Sequence, residues 1–284
     1  MNATAPDSSA ATALVTGATS GLGRDVARAL ASRGWTVLVH GRNPRSAAEA
    51  VAEIRAAGGS AEAYVADLSS LRRTAELADQ VAADVPALGL LVNNAGAGAG
   101  APRGGRETSE DGYELRLAVN YLAPVLLTRM LRPLLAAAES AQVLNIGSVG
   151  QSPIDFKDPQ YTRGGYDGMT AYTRSKFALA AFTFAAAKDY AQDRVRVNCT
   201  HPATYMDTGM VRESGVQPWT SVAEGTKAVM YAVRAGRSDT GVFFEGTGTS
   251  KSNRQTYDAG LQQRLAELTG ELLGRVDGVT PGAW

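Results

Sequence analysis

The sequence predicts one α/β domain, a doubly wound and mostly parallel sheet of seven strands with helices on both faces. Three observations carry that prediction. Short β-rich runs alternate along the chain with longer amphipathic runs rich in alanine and leucine. Several of the short runs are continuously apolar, as strands are when helices cover both of their faces. A glycine-rich turn separates the first β-rich run from the first amphipathic one, the place where such sheets hold phosphate.

Taken in order, the strands are expected at residues 12–16, 36–40, 61–66, 88–93, 142–146, 194–200 and 241–245. Helices are expected at 23–33, 44–57, 71–83, 112–135 and 171–191, each with apolar residues recurring at helical spacing. A further amphipathic stretch, 261–273, either caps the domain or joins a dimer. Residues 1–11 lack a basic start followed by an apolar core, so they read as a loose tail and not as a signal peptide. No linker divides the remainder, and 12–284 reads as a single domain. Three irregular segments, 96–107, 152–168 and 204–218, follow the fourth, fifth and sixth strands. They fall on the sheet edge where open α/β folds bind ligands, and are expected to surround a substrate.

Composition narrows the function. Lys and Arg total 28 and Asp and Glu total 28, a balance that offers no electrostatic reason to bind nucleic acid or an anionic membrane. No apolar run reaches the length of a membrane span. The lone cysteine, Cys199, forms no internal disulfide and agrees with a reducing cytoplasm, the compartment expected here. With only His40 and His201 beside it, no resident metal is expected, and both Cys199 and His201 read as structural.

The turn reads Thr16-Gly17-Ala18-Thr19-Ser20-Gly21-Leu22-Gly23. Glycine lets the backbone bend sharply and approach a pyrophosphate, and the helix start behind it offers free N–H groups. The second strand ends His40-Gly41-Arg42-Asn43, without the acidic residue that hydrogen-bonds ribose hydroxyls in NAD sites. Arg42 instead suits a 2′-phosphate, and NADP(H) is the cofactor expected. Tyr172 and Lys176 are four apart on an expected helix and so share a face. An ammonium beside a phenol favours the phenolate, which suits Tyr172 for proton transfer.

The loop Thr-Gly-x-x-x-Gly-x-Gly resembles that of the short-chain dehydrogenase/reductase family, and four more segments match in order: Asn93-Asn94-Ala95-Gly96, Leu144-Asn145-Ile146-Gly147-Ser148, Tyr172-x-x-x-Lys176 and Val197-Asn198 leading to Pro202-Ala203. The resemblance covers roughly 12–250 and implies a single-domain Rossmann fold. It implies a catalytic set of Ser148, Tyr172, Lys176 and Asn120, the last positioning a water through its backbone. It places the cofactor against Gly17, Thr19, Ser20, Gly21, Leu22 and Gly23, then Arg42 and Asn43, then Asp67 and Leu68. Further along, Asn94, Ala95, Gly96, Ile146, Tyr172, Lys176, Pro202, Ala203 and Thr208 complete that set. Two readings of Asp67 stand together, a contact to the adenine amine and an N-cap for the 71–83 helix. Gly147 departs from the family's usual serine and Ala203 from its usual glycine.

The long spacing between Ser148 and Tyr172 resembles the retinol-dehydrogenase-like and related bacterial branches. Asp155, Phe156, Tyr161, Tyr166 and Asp167 in that insert either contact substrate or lie open to solvent. The family resemblance also implies a homodimer or homotetramer. The activity implied is hydride transfer between NADP(H) and a carbonyl or secondary alcohol of a small organic molecule. The alternatives are another reaction on the same scaffold (double-bond reduction, dehydration, epimerisation or cyclisation) and a non-catalytic NADP-binding regulator.

Overall fold

The computed structural model describes residues 11–276 apart from Arg103, together with Val279. The expected tail, Ala11 excepted, lies outside the described residues. Strands β1 (Thr12–Val15), β2 (Thr36–Gly41), β3 (Ser60–Val65), β4 (Leu90–Asn93), β5 (Ala141–Ile146), β6 (Val195–His201), β7 (Phe243–Glu245) and β8 (Gly248–Ser250) form one sheet. Their order is β3-β2-β1-β4-β5-β6-β7-β8, and every pairing but β7–β8 is parallel. The seven-strand expectation is thus one short. The added β8 pairs back on β7 through a tight turn in which Gly246 takes φ +55°, a conformation glycine reaches without a Cβ penalty.

Side-chain alternation divides the core into two layers. On one face Ala13, Val15, Val37, Val39, Leu90 and Val92 pack with residues of α1 (Gly21–Ala31), α2 (Pro44–Ala56) and, later in the chain, Val229, Ala232 and Val233. On the other, Leu14, Leu38, Leu91, Val143, Val195 and Val197 meet α3 (Leu71–Asp84) and the helices that follow. Neighbouring residues of one central strand therefore serve opposite layers, which is why residues 13–15 of β1 and 90–92 of β4 are continuously apolar.

The expected 112–135 helix is interrupted. Gly112 has φ +82°, and the Glu114 carboxylate accepts the Leu117 N–H at 2.7 Å, so α4 (Leu115–Leu117) starts later. A π turn, Ala118–Leu122, then leads into α5 (Ala123–Met130). The chain breaks again at Leu131 before α6 (Arg132–Ala137), whose Pro133 has no N–H to continue the ladder. After α7 (Gly168–Asp189) and α8 (Gly209–Glu213), α9 (Val222–Ala235) opens on a capping box between Ser221 and Glu224. The final α10 (Ala259–Leu273) packs on the second layer. The Tyr113 hydroxyl donates to the Leu272 carbonyl at 2.6 Å and the Tyr121 hydroxyl meets Thr269 at 2.5 Å. Of the two roles open to this stretch, the capping one is what these contacts describe.

Candidate active site

Strand order reverses between β1 and β4, so the loops leaving those strands diverge and open a crevice at their carboxyl ends. The glycine turn fills the β1 side. Gly17 (φ +64°) and Gly21 (φ +49°) adopt left-handed conformations. A Cβ on Gly17 would lie 3.0 Å from the Ala95 Cα, and one on Gly23 would collide with the Gly17 carbonyl and the Asn94 amide. The turn is thus packed too tightly against the β4 exit and against itself to take a side chain at Gly17 or Gly23.

The β4 exit braces this turn. Thr16 Oγ1 accepts the N–H groups of Asn94 at 2.9 Å and Ala95 at 3.0 Å, and Asn94 Nδ2 donates to the Thr16 carbonyl at 2.8 Å. His40 braces it from the other side, a role the sequence reading missed. Its Nδ1 accepts the Gly17 N–H at 3.2 Å while Nε2 lies 3.1 Å from the Ala66 carbonyl, so the ring is neutral with its proton on Nε2. Burial pushes the His40 pKa down to about 4 and keeps it in that state.

Arg42 is exposed beyond β2, and among the described residues it has no carboxylate partner. Asn43 caps α2 by accepting from the Arg45 and Ser46 N–H groups. Asp67 accepts the Ser69 N–H at 2.9 Å, but the cap of α3 is Ser70, so the N-cap reading of Asp67 is corrected; the turn through Leu68 and Ser69 shifts the cap onto the serine. Leu68 is buried in the core beside it. Thr19 packs where a Cβ on Gly41 would go, and Ser20 precedes α1 without a side-chain cap bond. Leu22 is buried on the first layer. Thr208 is brought to the glycine turn from far along the chain, its methyl 3.3 Å from where a Cβ on Gly21 would stand. Pro202 is buried and Ala203 half-buried at the β6 exit.

On the β5 and α7 side, Ser148, Tyr172 and Lys176 come together. The Lys176 ammonium, 4% exposed, donates to the Ile146 carbonyl at 2.8 Å and lies 5.8 Å from the Tyr172 ring centroid. Burial lowers its pKa to about 8. Ser148 Oγ accepts the Gly150 N–H at 3.0 Å, leaving the hydroxyl proton free to donate elsewhere. The expectation that lysine lowers the tyrosine pKa is overridden here: burial raises it, and a hydrogen bond with Ser148 is the main opposing influence.

Asn120 sits in the π turn, a feature that recurs at functional sites. Its side chain clamps Ala97, accepting that N–H at 2.7 Å and donating to its carbonyl at 2.9 Å, and donates also to Ser175 Oγ at 2.9 Å. A Cβ on Gly96 would sit 3.2 Å from Asn120 Oδ1 and 3.8 Å from Lys176 Nζ, so these residues share one wall. Beneath them runs a buried polar chain that sequence reasoning did not foresee: Asn93 Nδ2 donates to Asn145 Oδ1, and Asn145 Nδ2 to Thr183 Oγ1, both at 2.8 Å. It ties β4, β5 and α7 in register.

Gly147 is explained by Cys199. A Cβ at 147 would run into the Cys199 sulfur, which is fully buried, with its thiol pKa pushed up to about 12 by burial. Gln151 is a second residue that motif reading missed. Its Nε2 donates to the Ser148 carbonyl at 2.7 Å, while its Oε1 accepts from Ser252 Oγ at 2.9 Å and the Asn253 N–H at 3.3 Å.

The three irregular loops come together at one edge of the sheet. A Cβ on Gly168 would meet the Ala99 carbonyl, and one on Gly215 would lie 3.4 Å from Pro102. The insert's side chains, however, mainly hold the insert down. Phe156 packs under the Arg264 guanidinium, 4.2 Å from its ring centroid, and Tyr161 meets Tyr166 edge-on at 5.5 Å. The Tyr166 hydroxyl donates to buried Glu114 at 3.0 Å. Asp155 accepts the Lys157 N–H at 2.9 Å, and Asp167 caps α7 by accepting from Thr170. Among the described residues no group of three potential metal ligands clusters, and no helix is long and apolar enough to cross a membrane.

Comparison with known proteins follows the same lines. The sequence model of the short chain dehydrogenase family matches residues 11–218. Mouse polyprenol dehydrogenase is 34% identical over 302 aligned positions, covering 96% of this chain and 87% of that protein. Mouse retinol dehydrogenase 13 is 34% identical over 195 residues, 67% of this chain but only 57% of that protein's length. Among solved structures, a metagenomic short-chain oxidoreductase in complex with NADP superposes with a TM-score of 0.64 at 30% identity, covering 84% of this chain and 96% of that one. With a family match spanning most of the chain and the glycine turn, the Asn94 brace and the Tyr172–Lys176 helix face in the matched order, this protein belongs to the short chain dehydrogenase family.

Proposed function

We propose that this protein transfers a hydride between NADP(H) and a carbonyl or secondary alcohol of a small organic molecule. The observation that carries the reading is the convergence of Ser148, Tyr172 and Lys176 at the carboxyl end of β5, on the same edge of the sheet as the glycine turn. The turn and its braces suit a dinucleotide, because Gly17 and Gly21, at φ +64° and +49°, bend the backbone at the N-terminus of α1, whose N–H groups suit phosphate. When bound, the nicotinamide supplies or accepts the hydride.

The chain's own residues handle the proton and the geometry. Ser148 Oγ accepts the Gly150 N–H and hydrogen-bonds Tyr172, which holds its hydroxyl beside the phenol, where one substrate oxygen can meet both. Tyr172 donates the proton that a forming alkoxide needs and takes it back in the oxidative direction. Lys176, held on the Ile146 carbonyl 5.8 Å from the Tyr172 ring centroid, keeps its ammonium on the same wall as the phenol. Asn120 holds Ala97 and Ser175 so that the wall bearing Lys176 keeps its shape.

NADP(H) is favoured over NAD(H) by Arg42, exposed past β2 and open to a 2′-phosphate. The NADP bound to the metagenomic relative supports the same choice. The test is steady-state turnover with NADPH and NADH on one carbonyl substrate. A kcat/KM ratio of about tenfold or more for NADPH is expected, falling toward unity in Arg42→Ala; equal use of both cofactors by the wild type refutes the assignment. Product formation without any change in reduced-nicotinamide absorbance would refute net hydride transfer itself.

A further inference from the structure

Charged side chains are seldom buried unless they are paired. Glu114 and Arg116, 1% and 2% exposed, are buried together at the start of α4, with Arg116 Nη1 3.6 Å from Glu114 Oε1. The proton transfer calls on neither group, yet each grips a segment that leads to it.

Glu114 grips the approach to α7. Its Oε2 caps α4 on the Leu117 N–H at 2.7 Å, and its Oε1 accepts the Tyr166 hydroxyl at 3.0 Å. Burial, and after it the Glu114 charge, push the Tyr166 pKa up, so that hydroxyl stays a donor. Tyr166 is followed by Asp167, the N-cap of α7, and by Gly168, its first residue. Arg116 grips the loop that leaves β4. Its Nε donates to the Gly98 carbonyl at 2.8 Å and its Nη2 pairs with Glu107. Gly100, at φ +78°, passes so close that a Cβ there would run into the guanidinium. Between these two glycines, the Ala99 carbonyl lies against Gly168, again too near to admit a Cβ. The circuit closes on itself. The start of α7 is tied to Glu114 through Tyr166, and it rests on a loop that Arg116 holds.

Tyr172 is the fifth residue of α7. The first four N–H groups of a helix have no partner within it, so the opening turn depends on outside anchors. Asp167 is one, accepting the Thr170 N–H at 2.8 Å. The buried pair provides the other.

We propose that Glu114 and Arg116 are positioning residues for Tyr172: by gripping Tyr166 and residues 98–99 they fix the opening turn of α7, and with it the place of the phenol. The proposal rests on the hydride-transfer reading above and adds to it two residues that act through Tyr172.

Tyr166→Phe, which deletes the hydroxyl that Glu114 holds, tests it with NADPH and 1-phenyl-1,2-propanedione as the probe substrate. Its kcat is expected to fall about tenfold with NADPH affinity within about twofold of wild type. Arg116→Met, which frees the Gly98 carbonyl, should show the same split. An unchanged kcat in Tyr166→Phe overturns the proposal. A double-mutant cycle separates positioning from general loosening of the fold. In a Tyr172→Phe background, read by single turnover with enzyme in excess, removing the Tyr166 hydroxyl should cost nothing further. A second tenfold loss there overturns the proposal. Hydrogen exchange supplies a readout that needs no turnover. Amides of 168–174 should exchange about fivefold faster in Tyr166→Phe, with those of β1, β4 and β5 unchanged. If the wild type leaves the diketone unreduced, or Tyr172→Phe alone turns over normally, hydride transfer as read here is what fails. The anchoring of α7 then stands on faster exchange at 168–174 and is overturned by wild-type exchange.

Discussion

Replacing Lys176 with methionine should destroy turnover while leaving the cofactor-free fold no less stable. The Lys176 ammonium is buried, and burial brings its pKa from 10.5 to about 8. That difference amounts to about 3 kcal/mol charged against the folded state at neutral pH, at about 1.4 kcal/mol per unit of pKa. Methionine removes that penalty but leaves the Ile146 carbonyl without its donor, a loss of about 1–3 kcal/mol. The balance is a net gain of about 0–2 kcal/mol at pH 7.

The pH dependence follows from the direction of the shift. Because the folded pKa lies below the unfolded one, the penalty is present in full below about pH 8. Between there and 10.5 the unfolded chain holds the extra proton, so wild-type stability climbs with pH relative to the variant. By about pH 10 the difference should have moved toward the wild type by roughly 2–3 kcal/mol. Urea unfolding of both cofactor-free proteins at pH 7 and pH 10 reads this directly. A variant less stable than wild type by more than about 2 kcal/mol at pH 7 would refute the reasoning, as would a difference that does not move with pH.

Other outcomes follow from single contacts. Gly23→Ala drives a methyl into the Gly17 carbonyl and the Asn94 amide, and should weaken NADPH binding about tenfold or more by fluorescence titration; wild-type affinity would show that the turn has room to yield. Gln151→Leu unties the Ser148 carbonyl from Ser252 and Asn253, and should lower kcat by about 10–100-fold with NADPH affinity retained. A loss confined to thermal stability would make Gln151 a purely structural bridge.

How much of this was legible in the sequence depends on the range of the interaction. β1, β2 and β5 read clearly because runs such as Ala13-Leu14-Val15 are apolar on both faces, a local signal. β8 did not, since Gly248–Ser250 has no apolar period and is a strand only because β7 lies beside it. The 112–135 stretch reads as one helix because residues 116–129 are buried nearly all round, so the one-residue phase shift of a π turn leaves no gap in the apolar pattern. Motif spacing placed Ser148, Tyr172, Lys176 and Asn120, and the structure brings them to one wall. It was silent on His40, Gln151 and the Gly147–Cys199 fit, because each depends on a partner at least 23 residues away along the chain, or on the space a partner leaves.

The central claim is that Tyr172 moves the proton while the rest of the site holds the cofactor. Tyr172→Phe keeps the ring and removes only the hydroxyl. NADPH affinity and turnover of a carbonyl substrate should be measured on the same preparation. The account predicts affinity within about twofold of wild type and turnover reduced by about 10²–10⁴. Turnover at the wild-type rate with intact NADPH binding would contradict it.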